Sequence, residues 1–195
     1  MPFWSTNFGQ DTTLKDPKRK HRFTVEFQGI NAAQGGALLW YAKTATKPSF
    51  SVNAAEHKYL GHTFYYPGNV TWDQVTVELV DPVEPDVTAT FADIMVASGY
   101  TPPTDANSLG TVSKAKATGA LGTVLITQLD GDGNPVESWT LWNAFMTSLK
   151  QDSLDYTSDD LSTTTVELRF DWARVETLNN SSAVNGSGGN EFFKA

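Results

Sequence analysis

The chain has 195 residues, 39% of them hydrophobic and 12% aromatic, enough to bury one domain-sized core and too apolar for a globally disordered polymer. Fourteen basic residues against 22 acidic ones leave a formal charge of -8, which repels phosphate and argues against a tight nucleic-acid binder. The lack of cysteine removes disulfides, thiolate zinc sites and cysteine nucleophiles together.

In chain order, Met1, Pro2, Phe3, Trp4 and Ser5 lack the basic-then-apolar layout of a signal peptide, and no run reaches the roughly 20 apolar residues of a membrane helix, so a soluble, unprocessed chain without membrane insertion is expected. Residues 1–21 are polar and carry the basic cluster Lys15, Lys18, Arg19, Lys20 and His21, which predicts an exposed N-terminal arm. Phe23, Val25 and Phe27 alternate with Thr24, Glu26 and Gln28, the period-2 pattern of a half-buried strand. A turn around Gly35 and Gly36 leads to a second strand over 38–46, which Pro48 interrupts. The stretch 50–66 is polar, is centred on Gly61 and predicts two extended arms of a protruding hairpin. Val75, Val77 and Leu79 mark another strand, stopped by Asp81, Pro82 and Pro85.

A single helix is expected over 86–98, with Val87, Phe91, Ile94, Met95 and Ser98 on one face, Asp86 or Thr88 as cap and Gly99 as terminator. Residues 101–121, with Pro102, Pro103, Gly110 and Gly119, read as a long connection. Two β-prone arms, 123–129 and 136–142, flank the turn residues 130–135. In 163–172, Val166, Leu168, Phe170 and Trp172 alternate with Glu167, Arg169 and Asp171, which predicts one closing strand. A β-sandwich domain over 22–178 is thus followed by a Gly/Ser-rich tail, 179–195, whose composition predicts flexibility.

Motifs of catalysis are weak throughout. Asp130, Asp132 and Asn134 imitate the start of a calcium loop, but Pro135 stands where the sharp-turn glycine belongs and Leu141 where the closing glutamate belongs. His57 and His62 lack a carboxylate at metal-binding spacing, and Asp152, Asp155, Asp159 and Asp160 read as a solvated loop instead of a catalytic carboxylate pair. Six tryptophans raise a sugar-stacking platform as one reading, although several fall on strand positions where a core or interface role is the default. No enzyme, metal or cofactor is expected.

The order of features carries more than any motif. The stretch Asn69, Val70, Thr71, Trp72, Asp73, Gln74, Val75 to Asp81, together with Trp142, Asn143, Ala144 and Phe145 leading through Leu154, Asp155 and Tyr156 into 163–172, resembles the tail tube protein of contractile-tailed bacteriophages. The resemblance covers about residues 15–176. It implies a mainly β, antiparallel sandwich or barrel with one flanking helix, six copies of which close into rings that stack into a hollow tube inside a contractile sheath. Type VI secretion tubes and tail-like bacteriocins share that fold and are the near alternatives; a carbohydrate-binding β-sandwich is the distant one. The resemblance further implies a place in the virion tail, with host cytoplasm during assembly. Its partners would be other copies of the chain, the sheath protein, the baseplate hub and the terminator, with the tape measure protein and DNA passing through the lumen without tight binding.

Two sets of residues follow as expectations. Glu56, His57, Lys58, Tyr59, His62, Tyr65 and Tyr66, beside Phe64, suit the hairpin to contact between successive rings. The polar strand positions Thr76, Glu78, Glu167, Arg169 and Asp171 are expected to face the channel or a neighbouring layer, with a net acidic channel wall so that DNA phosphate is not retained.

Overall fold

The computed structural model describes residues 17–30, 42–104, 110–177 and 191–193. The expectations for residues 1–16, for the Gly35–Gly36 turn and the segment 37–41, and for most of the tail lie outside the described residues.

Two antiparallel sheets form the body. One has the order β1 (Phe23–Phe27), β6 (Val124–Leu129), β7 (Pro135–Trp142), β10 (Trp172–Thr177) and β11 (Glu191–Phe192); the other runs β2 (Ala42–Ala45), β5 (Val75–Val80), β9 (Thr163–Arg169) and β8 (Phe145–Gln151). In β1, β5, β9 and β10 alternation sends one row inward. Val25, Val124, Ile126, Leu141 and Ala173 from the first sheet meet Val75, Val77, Leu79, Val166 and Leu168 from the second in one core, and neither sheet closes into a barrel. A third, two-stranded sheet, β3 (Phe50–Tyr59) with β4 (His62–Trp72), stands outside both.

The mainly β, antiparallel architecture agrees with the sequence, and the structure corrects three details. First, two helices are present among the described residues. α1 (Val87–Ala97) starts where Asp86 Oδ1 accepts from the Ala89 N–H at 2.8 Å, and buries Val87, Phe91 and Ile94, with Phe91 edge-on to Phe27 at 5.8 Å. Met95, expected on the buried face, is exposed. The stretch read as a plain connection contains α2 (Lys114–Leu121), capped by Ser113 and buried only through Ala117 and Leu121. α2 ends against β1: a Cβ on Gly122, whose φ is +71, would lie 2.3 Å from the Gly29 nitrogen, and one on Gly29 would lie 2.4 Å from the Leu121 carbonyl carbon. Glycine is required on both sides of that approach.

Second, residues 145–151 form β8, which pairs with β9. Third, the closing stretch is two strands. The chain leaves the four-stranded sheet after Arg169, crosses at Phe170 and Asp171, and enters the five-stranded sheet at Trp172. Trp172 therefore does not share a face with Val166 and Leu168. It pairs with Trp142 and stacks on its ring at 6.2 Å and 14°.

Candidate assembly surfaces

The long hairpin is built by ordinary strand chemistry. Leu60 (φ 46) and Gly61 (φ 82) form a two-residue turn whose positive dihedrals match the twist of the flanking strands, and the ladder runs from the pair Tyr59–His62 to the pair Phe50–Trp72. The register shifts once, between Val52 and Ala54, where a bulge bends the ribbon. Alternation divides the expected contact residues between the two faces: Glu56, Lys58 and Tyr65 on one, and His57, Tyr59, His62, Phe64 and Tyr66 on the other. Both faces are solvent-exposed, with Tyr59 at 62%, Tyr65 at 65% and Tyr66 at 56% of full exposure. At the root, Phe50 and Trp72 pack edge-on at 5.2 Å, and Trp72 lies 5.8 Å from the core ring of Phe170.

The polar strand set is also divided. Thr76 and Glu167 are cross-strand partners, and Glu78 stands opposite Thr165 on the same outer face of the four-stranded sheet. Glu78 accepts from Lys43 Nζ at 2.9 Å and from Thr44 Oγ1 at 3.1 Å; the Lys43 hydrogen bond leads the effects that lower its carboxyl. Glu167 accepts from Lys150 at 2.6 Å. Arg169 is exposed at the end of this row. Each glutamate is thus matched by a lysine, with an arginine beside them, so these side chains alone do not make an acidic surface. Asp171 lies apart, in the crossover. It accepts from Lys114 Nζ at 2.7 and 2.6 Å and from Asn143 Nδ2 at 2.8 Å, its N–H donates to the Trp142 carbonyl, and its carboxyl is held below the usual range, by Lys114 first and Asn143 next.

Sequence reading missed a further charged centre. At one end the sandwich opens into a cavity of about 700 Å³ lined by Phe23, Ile126 and Trp139, with Lys18, Lys43 and Lys47 around it. Glu137 ties three of the cavity's lining residues together by accepting from Lys18, from Lys47 at 2.7 Å and from the Trp139 indole at 2.6 Å. Burial alone would push its carboxyl up, but the three donors outweigh it and hold the group at about 2. A carboxylate so firmly ionised is a poor general base near neutrality and a good structural clasp. Lys18 and Lys47 reach Glu137 from segments far away in sequence, one preceding β1 and one following β2, so no local motif announces them.

The metal-like pattern is explained without a metal. Asp130 Oδ1 accepts from the N–H groups of Asp132 at 2.9 Å and Asn134 at 2.8 Å, which spends the carboxylate on the turn. Among the described residues, no group of three or more histidine or acidic side chains is placed to hold an ion, and no helix is long and apolar enough to cross a membrane.

No family model and no curated protein matches the sequence. Solved structures do. The fold is similar to a chain of the anti-feeding prophage tube-terminating cap, with TM-score 0.61, 19% identity, and coverage of 89% of this chain and 99% of that one. A chain of the PVC extracellular contractile injection system sheath-tube complex, in its extended state, gives 0.58 at 19% identity, covering 83% and 93%. A chain of the six-fold symmetrised anti-feeding prophage baseplate gives 0.58 at 19% identity, covering 83% and 96%. The protein has the fold of these chains. At this identity the likeness establishes architecture; particular surfaces have to be argued from their own residues.

Proposed function

We propose that the chain is a structural, non-catalytic tube subunit, six copies of which close into a ring and whose rings stack into a hollow conduit. The observation that carries this is the nearly complete overlap with the tube-terminating cap chain, 89% of one and 99% of the other. The exposed hairpin supports it, because an isolated two-stranded ribbon is marginal in water and one with aromatic residues on both faces is completed by another surface. Open sheet edges point the same way, since pairing between copies removes them. Ring-to-ring contact is assigned to Glu56, His57, Lys58, Tyr59, His62, Tyr65 and Tyr66. Thr76, Glu78, Glu167 and Arg169 are assigned to a surface facing the channel or an adjoining layer.

In a phage tail the conduit passes DNA after a tape measure protein, inside a sheath and between a baseplate hub and a terminator. The neighbours in extracellular injection systems favour a second version of the same role, a tube with a different cargo. Electron microscopy of the purified full chain tests the shared core of both: rings or tubes are expected, and a monodisperse monomer at all concentrations would refute it. A variant shortened between Ala54 and His62 is expected to fold and to lose long tubes. Tubes as abundant as the parent's, at matched concentration and salt, would remove the hairpin from the stacking contact.

A further inference from the structure

The far edge of the five-stranded sheet is completed by three residues. β11 supplies only two register pairs, Val175 with Phe192 and Glu176 with Glu191. Arg174 Nη2 holds Glu191 at 2.5 Å and Glu176 at 3.1 Å. Phe193 then turns out of the strand with φ 62 and sets its ring 5.6 Å from Phe50 and 5.5 Å from Trp72. A single Glu-Phe-Phe segment therefore covers the β10 edge and also finishes the root of the hairpin.

The connection to that segment is far longer than its task requires. Residues 178–190 number thirteen, whereas returning to an adjacent antiparallel strand about 4.8 Å away takes about 2–5 residues. Thirteen residues have a contour of up to about 45 Å, so their length does not confine the segment to its own body.

We propose that the β10 edge and the Phe50–Trp72 notch are a docking site for the Glu191–Phe193 segment of a second copy, so that neighbouring subunits exchange this segment. The occupant is a second copy because the segment seated there is the chain's own. Exchange re-forms the same ladder, the same Arg174 ion pair and the same ring contacts, and demands no new complementarity. In a dilute subunit the chain's own segment holds the site. In an assembly the neighbour's segment is present at high effective concentration, and each exchange links two subunits non-covalently, through one chain seated on two bodies. The inference rests on self-assembly of the chain, though not on the nature of the cargo.

The chain has no cysteine, so linkage can be placed at will. Val175→Cys and Phe192→Cys, register partners, are introduced in separate full-length copies of which one carries a size tag, mixed, assembled and oxidised. Exchange predicts a disulfide-linked tagged–untagged dimer on a non-reducing gel. The double variant should give a ladder of linked chains after assembly and only internally linked monomers when oxidised dilute. A double variant that remains monomeric on the gel after forming tubes overturns the exchange and leaves the tube reading intact. Linked dimers without rings or tubes uphold the exchange and overturn the tube reading. If substitution at Val175 disturbs the core, Arg174→Ala with Phe193→Ala in the cysteine-free chain, which remove the ion pair and the ring contacts, should lower the yield of assembled chains that exchange supports, and an unchanged yield would overturn it.

Discussion

The sandwich body and the projecting hairpin use the same strand vocabulary and end in opposite situations. In β5, Val75, Val77 and Leu79 are fully buried against the facing sheet, whereas in β3 and β4 Val52, Phe64 and Val70 are about half exposed, with no opposing layer among the described residues. The contrast separates what an amino-acid pattern specifies from what the proposed partner surface would complete. Alternation and a turn make a ribbon; a second surface makes it stable.

The sharpest way to break this comparison is to remove one large aromatic from each region. Phe91→Ala, in the core, should cost about 3–5 kcal/mol in denaturant unfolding of the subunit. Phe64→Ala, on the hairpin, should cost no more than about 0.5 kcal/mol in the same measurement and should raise the concentration at which tubes form. Equal losses of subunit stability would mean that the hairpin belongs to the folding core.

A smaller effect is expected where the body is clasped by charge. Glu137→Gln should destabilise the subunit by about 1–3 kcal/mol at pH 7, toward the lower value because Lys18 and Lys47 are about half exposed. The folded carboxyl sits at about 2 against an ordinary 4.5, so its contribution is complete above pH 4.5 and disappears as pH falls toward 2. Unfolding measured at pH 7 and pH 3 should show the difference between parent and variant narrowing in acid. A difference that grows in acid would reverse the assigned sign.

Least is expected from the helix entrance: Asp86→Ala removes the acceptor for the Ala89 N–H and should cost about 1 kcal/mol in thermal or denaturant unfolding, with tube formation unchanged. Loss of tubes without loss of stability would place this end of α1 at an assembly contact, and would sharpen the division between body and hairpin by moving its boundary.

What sequence could show followed the same division. β1 and β5 were legible because alternation there coincides with burial, the β6–β7 hairpin because turn residues 130–135 separate two β-prone arms, and the long hairpin because Gly61 sits between two extended arms. β8 was not, since the register shift between Met146 and Ser148 breaks its period. α2 was hidden by composition: Lys114–Leu121 buries only two side chains and contains Gly119. The merging of β9 with β10 has a different cause. Polar and apolar residues keep their rhythm through Phe170, Asp171 and Trp172 while the chain changes sheets, and period alone cannot report a change of partner. For the same reason the candidate surface of Thr76, Glu78 and Glu167 was visible as a row, while the separate position of Asp171 and the Glu137 clasp required tertiary contacts.

The crossover at Asp171 also has a mechanical meaning. It joins the two sheets covalently at the point where Lys114 of α2 and Asn143 of the β7–β8 turn grip one carboxylate. A shear force that pulls the four-stranded layer along its strands therefore arrives at the five-stranded layer through the main chain, and it loads the ion pair and the stacked Trp142–Trp172 rings at the same place. In the proposed tube such a joint would keep the two layers of each subunit moving as one body under tension, so that strain would fall on the contacts between subunits.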